Sequence, residues 1–259
     1  MDHIDLALRR AREQRSRVGH TQSRNGAAAR AMPSAPATYT RTKIVNLALP
    51  VLEANRVIVA QMHRPLTDVY RSLRARVFQA LGEDRTSLGI TSVRHGEGKT
   101  LTAVNLAIAI AMDVSRTVLL VDADLRNPGI AGCLGLKPDI GLGDYLTGQA
   151  SISDCLINPG IDRLSIFPAA GRIANSAELL ASPQMSQLAN ELRNRYPDRL
   201  IIYDLPPVLT VADTIGFLPS IEATLLVVRD GTTRAHELNR ARDLLSKHNL
   251  IGTVLNAAL

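Results

Sequence analysis

The stretch LGITSVRHGEGKTLTAVNLAIAIAMDVSRTVLLVDADLR, residues 88–126, decides how the rest of the chain is read. Residues 88–93 are apolar, rich in β-branched side chains and bounded by polar residues, the pattern of a buried strand. A glycine-bearing loop follows at 94–98, and Lys99, Thr100 and an apolar run to Met112 predict a helix. Strand, glycine loop, Gly-Lys-Thr and helix form a cradle for phosphate. Gly96 and Gly98 let the backbone approach an anion with no Cβ in the way. Loop N–H groups and the positive end of the helix then converge on that anion. Lys99 is placed for β- and γ-phosphates and the Thr100 hydroxyl for a magnesium ion. The strict G-x-x-x-x-G-K-[ST] spacing is not met, because Val93 stands where its first glycine falls.

Two further strands end in acids. The run VLLVDADLR, residues 118–126, closes on Asp122, Asp124 and Arg126, and RLIIYDLPPV, residues 199–208, closes on Asp204. In an open parallel sheet, ligands bind beyond the carboxyl ends of the strands, so these acids are expected beside the phosphate loop. An aspartate there holds magnesium directly or through water. Read alone, each run is also a strand that ends in a solvated acidic turn.

These residues resemble the bacterial tyrosine kinases of capsule and exopolysaccharide synthesis, P-loop proteins related to the ATPases of chromosome partitioning and division-site placement. SVRHGEGKT resembles that family's Walker A, LLVDADLR its second Walker element and IIYDLPP its Walker B. The run Asp68-Val-Tyr-Arg71-Ser-Leu-Arg74 resembles its E-x-x-R-x-x-R oligomerisation motif, with Asp for Glu. The resemblance implies a three-layer α/β P-loop NTPase fold with a mostly parallel, doubly wound sheet. It implies Mg-ATP, with Gly96, Glu97, Gly98, Lys99, Thr100 and Leu101 at the nucleotide and Asn256 against adenine. Lys99, Asp122 and Asp124 would be catalytic, and Thr100, Asp122 and Asp204 would hold magnesium. The implied partners are a separate membrane-embedded chain-length regulator and further copies of the chain, met through Asp68, Arg71 and Arg74. The implied place is the cytoplasmic face of the plasma membrane.

Departures keep other readings open. The family's tail carries clustered tyrosines, whereas the five here, at 39, 70, 145, 196 and 203, are scattered. A partitioning-type ATPase switch is one alternative, and a nucleotide-binding scaffold of a polysaccharide complex is another. Partitioning relatives resemble K-G-G-x-G-K-T. Arg94 stands at the lysine and His95 at the following glycine, so Arg94 reads either as a mimic of that lysine or as a solvated charge. Arg126 reads either as a group for phosphates or acceptor peptide, or as a partner of Asp124. Asp213 is expected in or at the start of a helix near the site.

Composition bounds the remainder. The chain has 259 residues, 46% of them hydrophobic and only 3% aromatic, with no tryptophan, so the core rests on aliphatic side chains. Cys133 and Cys155 lack metal-ligand spacing and read as reduced thiols. No apolar run approaches the ~20 residues that span a bilayer. Of the net charge of +6, residues 1–42 carry +5, with eight arginines against Asp2, Asp5 and Glu13. A basic arm on a nearly neutral body is a poor nucleic-acid footprint and suits an anionic membrane or partner. The domain plan is therefore a flexible basic arm at 1–42, with Ile4, Leu8 and Ala11 on one face of a short helix at its start. An edge segment and oligomerisation helix follow at 43–84, then the P-loop domain at 85–259. Pro50 interrupts the apolar residues 44–52, so a short strand and a turn are expected there. Residues 65–82 predict an amphipathic helix on the spacing of Leu73, Val77 and Leu81.

Overall fold

The computed structural model describes residues 43–58, 64–195 and 198–257. The expectations for the basic arm, Tyr39 and Tyr196 lie outside these residues. In chain order the elements are β1 (Lys43–Ile44), α1 (Leu49–Ala54), α2 (Arg64–Leu81), β2 (Ser87–Ser92), α3 (Lys99–Ala111) and β3 (Thr117–Asp122). Short helices α4 (Ile130–Leu134), α5 (Leu142–Leu146) and α6 (Ile152–Cys155) lead to β4 (Ile157–Asn158) and β5 (Leu164–Phe167). Then come α7 (Ser176–Leu180), α8 (Pro183–Arg195), β6 (Arg199–Asp204), α9 (Asp213–Phe217), β7 (Ala223–Arg229), α10 (Ala235–Leu245) and β8 (Leu250–Asn256).

The strands make one sheet in the order β1-β4-β5-β3-β6-β2-β7-β8. Every pairing is parallel except β4 with β5. The central strands are buried along their length, as a parallel sheet covered on both faces requires. Side chains alternate between two cores. Val118, Leu120, Leu200 and Ile202 meet Tyr70, Val77 and Leu81 of α2 and the buried side of α3. Leu119, Val121, Ile201 and Tyr203 meet Leu188 and Leu192 of α8 and Ala241 and Leu245 of α10. Helices therefore cover both faces, and the three-layer expectation holds.

Three local features differ from the expected plan. Pro50 does not break a strand: it occupies the first turn of α1, where a missing N–H costs nothing. β4 is two residues long and antiparallel, too short to leave a periodic signature. The 43–84 segment also shares the main core, because Leu52, Val57 and Ile58 are buried in the same cluster as Leu88 and Ile90. Asn105, fully buried on α3, fastens this segment. Its Oδ1 accepts from Ile58 N at 2.9 Å and its Nδ2 donates to Arg56 O at 3.0 Å.

The two arginines of the oligomerisation-like motif take different roles. Arg71 pairs with Asp68 at 3.1 Å on the exposed face. Arg74 turns inward and donates to Ala109 O at 2.8 Å, while Arg163 donates to Ala111 O at 3.1 Å. Both cations satisfy carbonyls at the end of α3, where helix C-termini favour positive charge.

Candidate active site

The site is built where β2, β3 and β6 end side by side. Asp122 and Asp204 are direct partners across the β3–β6 ladder, and Ile90 pairs with Asp204 on the other side. The loop after β2 turns into α3 at Gly98, whose φ of +92° is left-handed and suits glycine. α3 has neither a side-chain cap nor an acid in its first turn, so its leading N–H groups are left for an anion.

The loop is braced from behind. Glu97, 1% exposed, accepts from Val93 N at 2.7 Å, Arg94 N at 2.9 Å and Thr233 Oγ1 at 2.5 Å. Both Glu97 carboxylate oxygens are therefore used to shape the loop, which leaves its backbone N–H as the group that can face a nucleotide. Asn256 does related work, its Nδ2 donating to Glu97 O at 2.9 Å. A Cβ on Gly98 would lie 2.0 Å from that nitrogen, so any other residue there displaces the Asn256 amide. Arg94 fits its reading as a solvated loop charge: its side chain is 60% exposed and forms an ion pair with Glu237 of α10. Leu101 is half-buried against the main core. Gly96, at φ +80°, is exposed at the loop's crest.

Lys99 is 7% exposed and lies among acids. Its Nζ is 2.9 Å from Asp124 Oδ2 as an ion pair, 3.2 Å from Asp204 Oδ1 and 3.2 Å from Thr100 Oγ1. Thr100 donates to Asp204 Oδ2 at 2.6 Å. Burial pulls the ammonium's pKa down, but Asp204 and Asp124 outweigh it and the net shift is upward. Burial, with Asp204 next to it, pushes Asp122 up to about 8. Burial also raises Asp204, against the pull of Lys99 and Thr100.

Asp122 Oδ2 accepts from Gly129 N at 3.1 Å and Ile130 N at 3.0 Å, which folds the following loop back over the site. Gly129 is a residue that sequence reasoning missed: a Cβ there would lie 3.0 Å from Thr100 Cγ2. Asp122 Oδ1 is buried with no hydrogen-bond partner among the described residues. An orphaned carboxylate oxygen among three aspartates and one lysine fits a divalent cation. Among the described residues no cluster of three or more His, Cys, Asp or Glu encloses a metal by itself. Magnesium takes one or two protein ligands together with water and phosphate oxygens.

Arg126 and Asp213 correct another expectation. Arg126 pairs with Asp213 at 3.1 Å rather than with Asp124, whose Oδ1 accepts from Asn127 N at 3.0 Å. Asp213 also accepts a hydrogen bond from Ser176. Of the described tyrosines, Tyr203 and Tyr70 are buried and Tyr145 is half-buried against Phe167. Cys133 and Cys155 are free thiols.

A phosphate loop at the end of a central strand, flanked by acids on the two neighbouring strand ends, defines a P-loop NTPase domain. The model of the AAA domain family matches residues 86–252. The tyrosine-protein kinase YwqD of Bacillus subtilis is 30% identical over 208 residues, covering 79% of this chain and 86% of that one. The succinoglycan biosynthesis transport protein ExoP of Rhizobium meliloti is 32% identical over 217 residues, 80% of this chain and 27% of that longer protein. The VpsO kinase domain superposes with a TM-score of 0.68 at 30% identity, covering 74% of this chain and 95% of that domain. The septum site-determining protein MinD of Pyrococcus horikoshii, complexed with Mg-ADP, gives 0.56 at 25% identity over 65% of this chain and 69% of that one. The chain belongs to the bacterial tyrosine-kinase family of P-loop ATPases.

Proposed function

We propose that this chain is a Mg-ATP-dependent protein-tyrosine kinase acting in exopolysaccharide or capsule assembly. The observation that carries the reading is the buried set of Lys99, Asp122, Asp124 and Asp204 beneath the uncapped start of α3. The family membership, and relatives named for tyrosine kinase activity and succinoglycan biosynthesis, support it.

Phosphoryl transfer asks a protein chiefly for positioning and charge compensation. The α3 N–H groups and Gly96–Gly98 backbone hold the phosphates, with Leu101 anchoring the first helical turn in the core. Lys99 neutralises charge on the β- and γ-oxygens once it leaves its aspartate partners. Thr100 and Asp204, with the unpartnered Asp122 Oδ1, would hold magnesium, which would supply positive charge against the phosphates. Asp122 orients the acceptor hydroxyl and receives its proton, for which a raised pKa suits it. Asp124 places Lys99. Asn256 fixes the loop and lies at the strand end where an adenine ring is held.

Tyr70 and Tyr203 are buried and Tyr145 is partly exposed, and the reading takes the acceptor to be on another protein or among residues outside the described set. The reading includes a membrane-embedded chain-length regulator as partner and a cytoplasmic place at the membrane's inner face. Among the described residues no helix is long and apolar enough to cross a membrane. Self-association would use Asp68 and Arg71, the exposed pair of the motif, with Arg74 seating their helix on α3.

Incubation with γ-labelled ATP and magnesium, with and without the regulator's cytoplasmic segment, tests the proposal. Label on tyrosine is expected, reduced by about 10²-fold or more in Lys99→Met, as for loss of a buried transition-state cation. Label released only as free phosphate makes the chain an ATPase switch, and unchanged transfer in Lys99→Met refutes the site.

A further inference from the structure

We propose that Asp213 and Ser176 are positioning residues that hold Arg126 as an anion-reading group at the acceptor side of the site, and that it reads an acidic side chain beside the acceptor tyrosine. The acceptor's identity rests on the kinase reading; the anion-reading role does not.

Asp213 is 1% exposed, and its carboxylate bonds to Arg126 and Ser176. Its oxygens accept from Arg126 Nε at 3.2 and 3.1 Å, and Oδ2 also accepts from Ser176 Oγ. The three residues come from three loops: Arg126 follows β3, Ser176 opens α7 after β5, and Asp213 opens α9 after β6. Strands β5, β3 and β6 are neighbours in the sheet, so three adjacent strand-end loops meet at one buried carboxylate. Ile173 N donates to Leu125 O at 2.8 Å, a second tie between the first two loops.

This clasp uses only Nε of the guanidinium. Neither Nη atom has a partner among the described residues, and the Arg126 side chain is 41% exposed against 8% for Lys99. Lys99 thus stands in the floor of the site and Arg126 at its rim. A guanidinium held along one edge offers its other edge as a planar fork, which matches carboxylate in two parallel hydrogen bonds. Holding the side chain beforehand removes the rotamer cost of that contact. The need for such a cation is electrostatic. The floor holds three aspartates and one lysine, so an acidic peptide meets repulsion unless the rim carries positive charge.

The test measures binding of two fluorescent peptides to the full chain with magnesium and a non-hydrolysable ATP analogue. One peptide carries two glutamates before its tyrosine; the other carries glutamines. Wild type is expected to prefer the acidic peptide by about tenfold, the scale of one charge-assisted contact. Arg126→Gln should remove the preference and Arg126→Lys, which lacks the fork, should restore only part of it. Asp213→Asn and Ser176→Ala should lower the preference in that order of severity, while binding of the glutamine peptide stays the same. A purely structural role moves both peptides together. Arg126→Gln, at the surface, keeps the test decisive if Asp213→Asn does not fold. No preference in wild type, or an Arg126→Gln defect that falls equally on nucleotide alone, overturns the inference. With γ-labelled ATP in place of the analogue, binding preference without label on tyrosine keeps the anion-reading role and refutes the kinase; label on both peptides without binding preference does the reverse.

Discussion

Replacing Gly98 with alanine tests the whole construction of the phosphate loop. The backbone there has φ +92°, and a Cβ would lie 2.0 Å from Asn256 Nδ2, far inside van der Waals contact. Left-handed strain on a residue with a Cβ costs about 1–2 kcal/mol. The Asn256 amide must also swing away, which sacrifices its 2.9 Å hydrogen bond to Glu97 O, about 0.5–1.5 kcal/mol. The sum, about 1.5–3.5 kcal/mol, lowers the melting temperature of a domain this size by roughly 3–14 °C. Thermal unfolding measures it, and a fluorescent nucleotide should bind more weakly because the loop N–H groups move. The double-mutant cycle with Asn256→Ala is the sharper assay. Asn256→Ala alone loses the hydrogen bond, and adding it to Gly98→Ala costs little more, because that bond is lost only once. Fully additive losses, or a Gly98→Ala protein that melts with wild type, refute the reasoning.

Two further outcomes follow from buried groups. Asp122, held at about 8 against an ordinary value near 3.8, stays protonated in the folded apo protein while the unfolded chain ionises. Its folded pKa is raised, so apo stability should fall as pH climbs from about 4 to 8. Asp122→Asn should flatten that slope in urea titrations, and calorimetry should record proton release when Mg-nucleotide binds. A slope unchanged by the substitution contradicts the assigned environment. Asn105→Leu leaves Ile58 N and Arg56 O without their partner in a buried setting, at about 2–4 kcal/mol. Urea midpoints should report that loss; a leucine tolerated at no cost means that the 56–58 segment does not need its fastening.

Much of the site is legible in the chain because its parts are local. Gly98, Lys99 and Thr100 are consecutive, and their placement between a buried strand and a helix follows from periodicity within about twenty residues. Asp122 and Asp204 end apolar runs, and a parallel sheet brings such ends together. What escaped are roles set by partners distant in sequence. Glu97 sits inside the phosphate motif yet faces Thr233, 136 residues away. Arg94 is captured by Glu237 and Arg126 by Asp213, choices that local sequence leaves equal among several acids. β4 gave no signal because two residues cannot express a period.

The sequence by itself determined the layers, the phosphate loop and the acids around it, since hydrophobic period and glycine placement act over one element at a time. Only the tertiary structure decided which acid meets which cation, that Arg74 seats its helix on α3, and that three loops converge on Asp213. Those outcomes depend on the order of strands in the sheet, which sets the neighbours of each strand end and is written in no single segment.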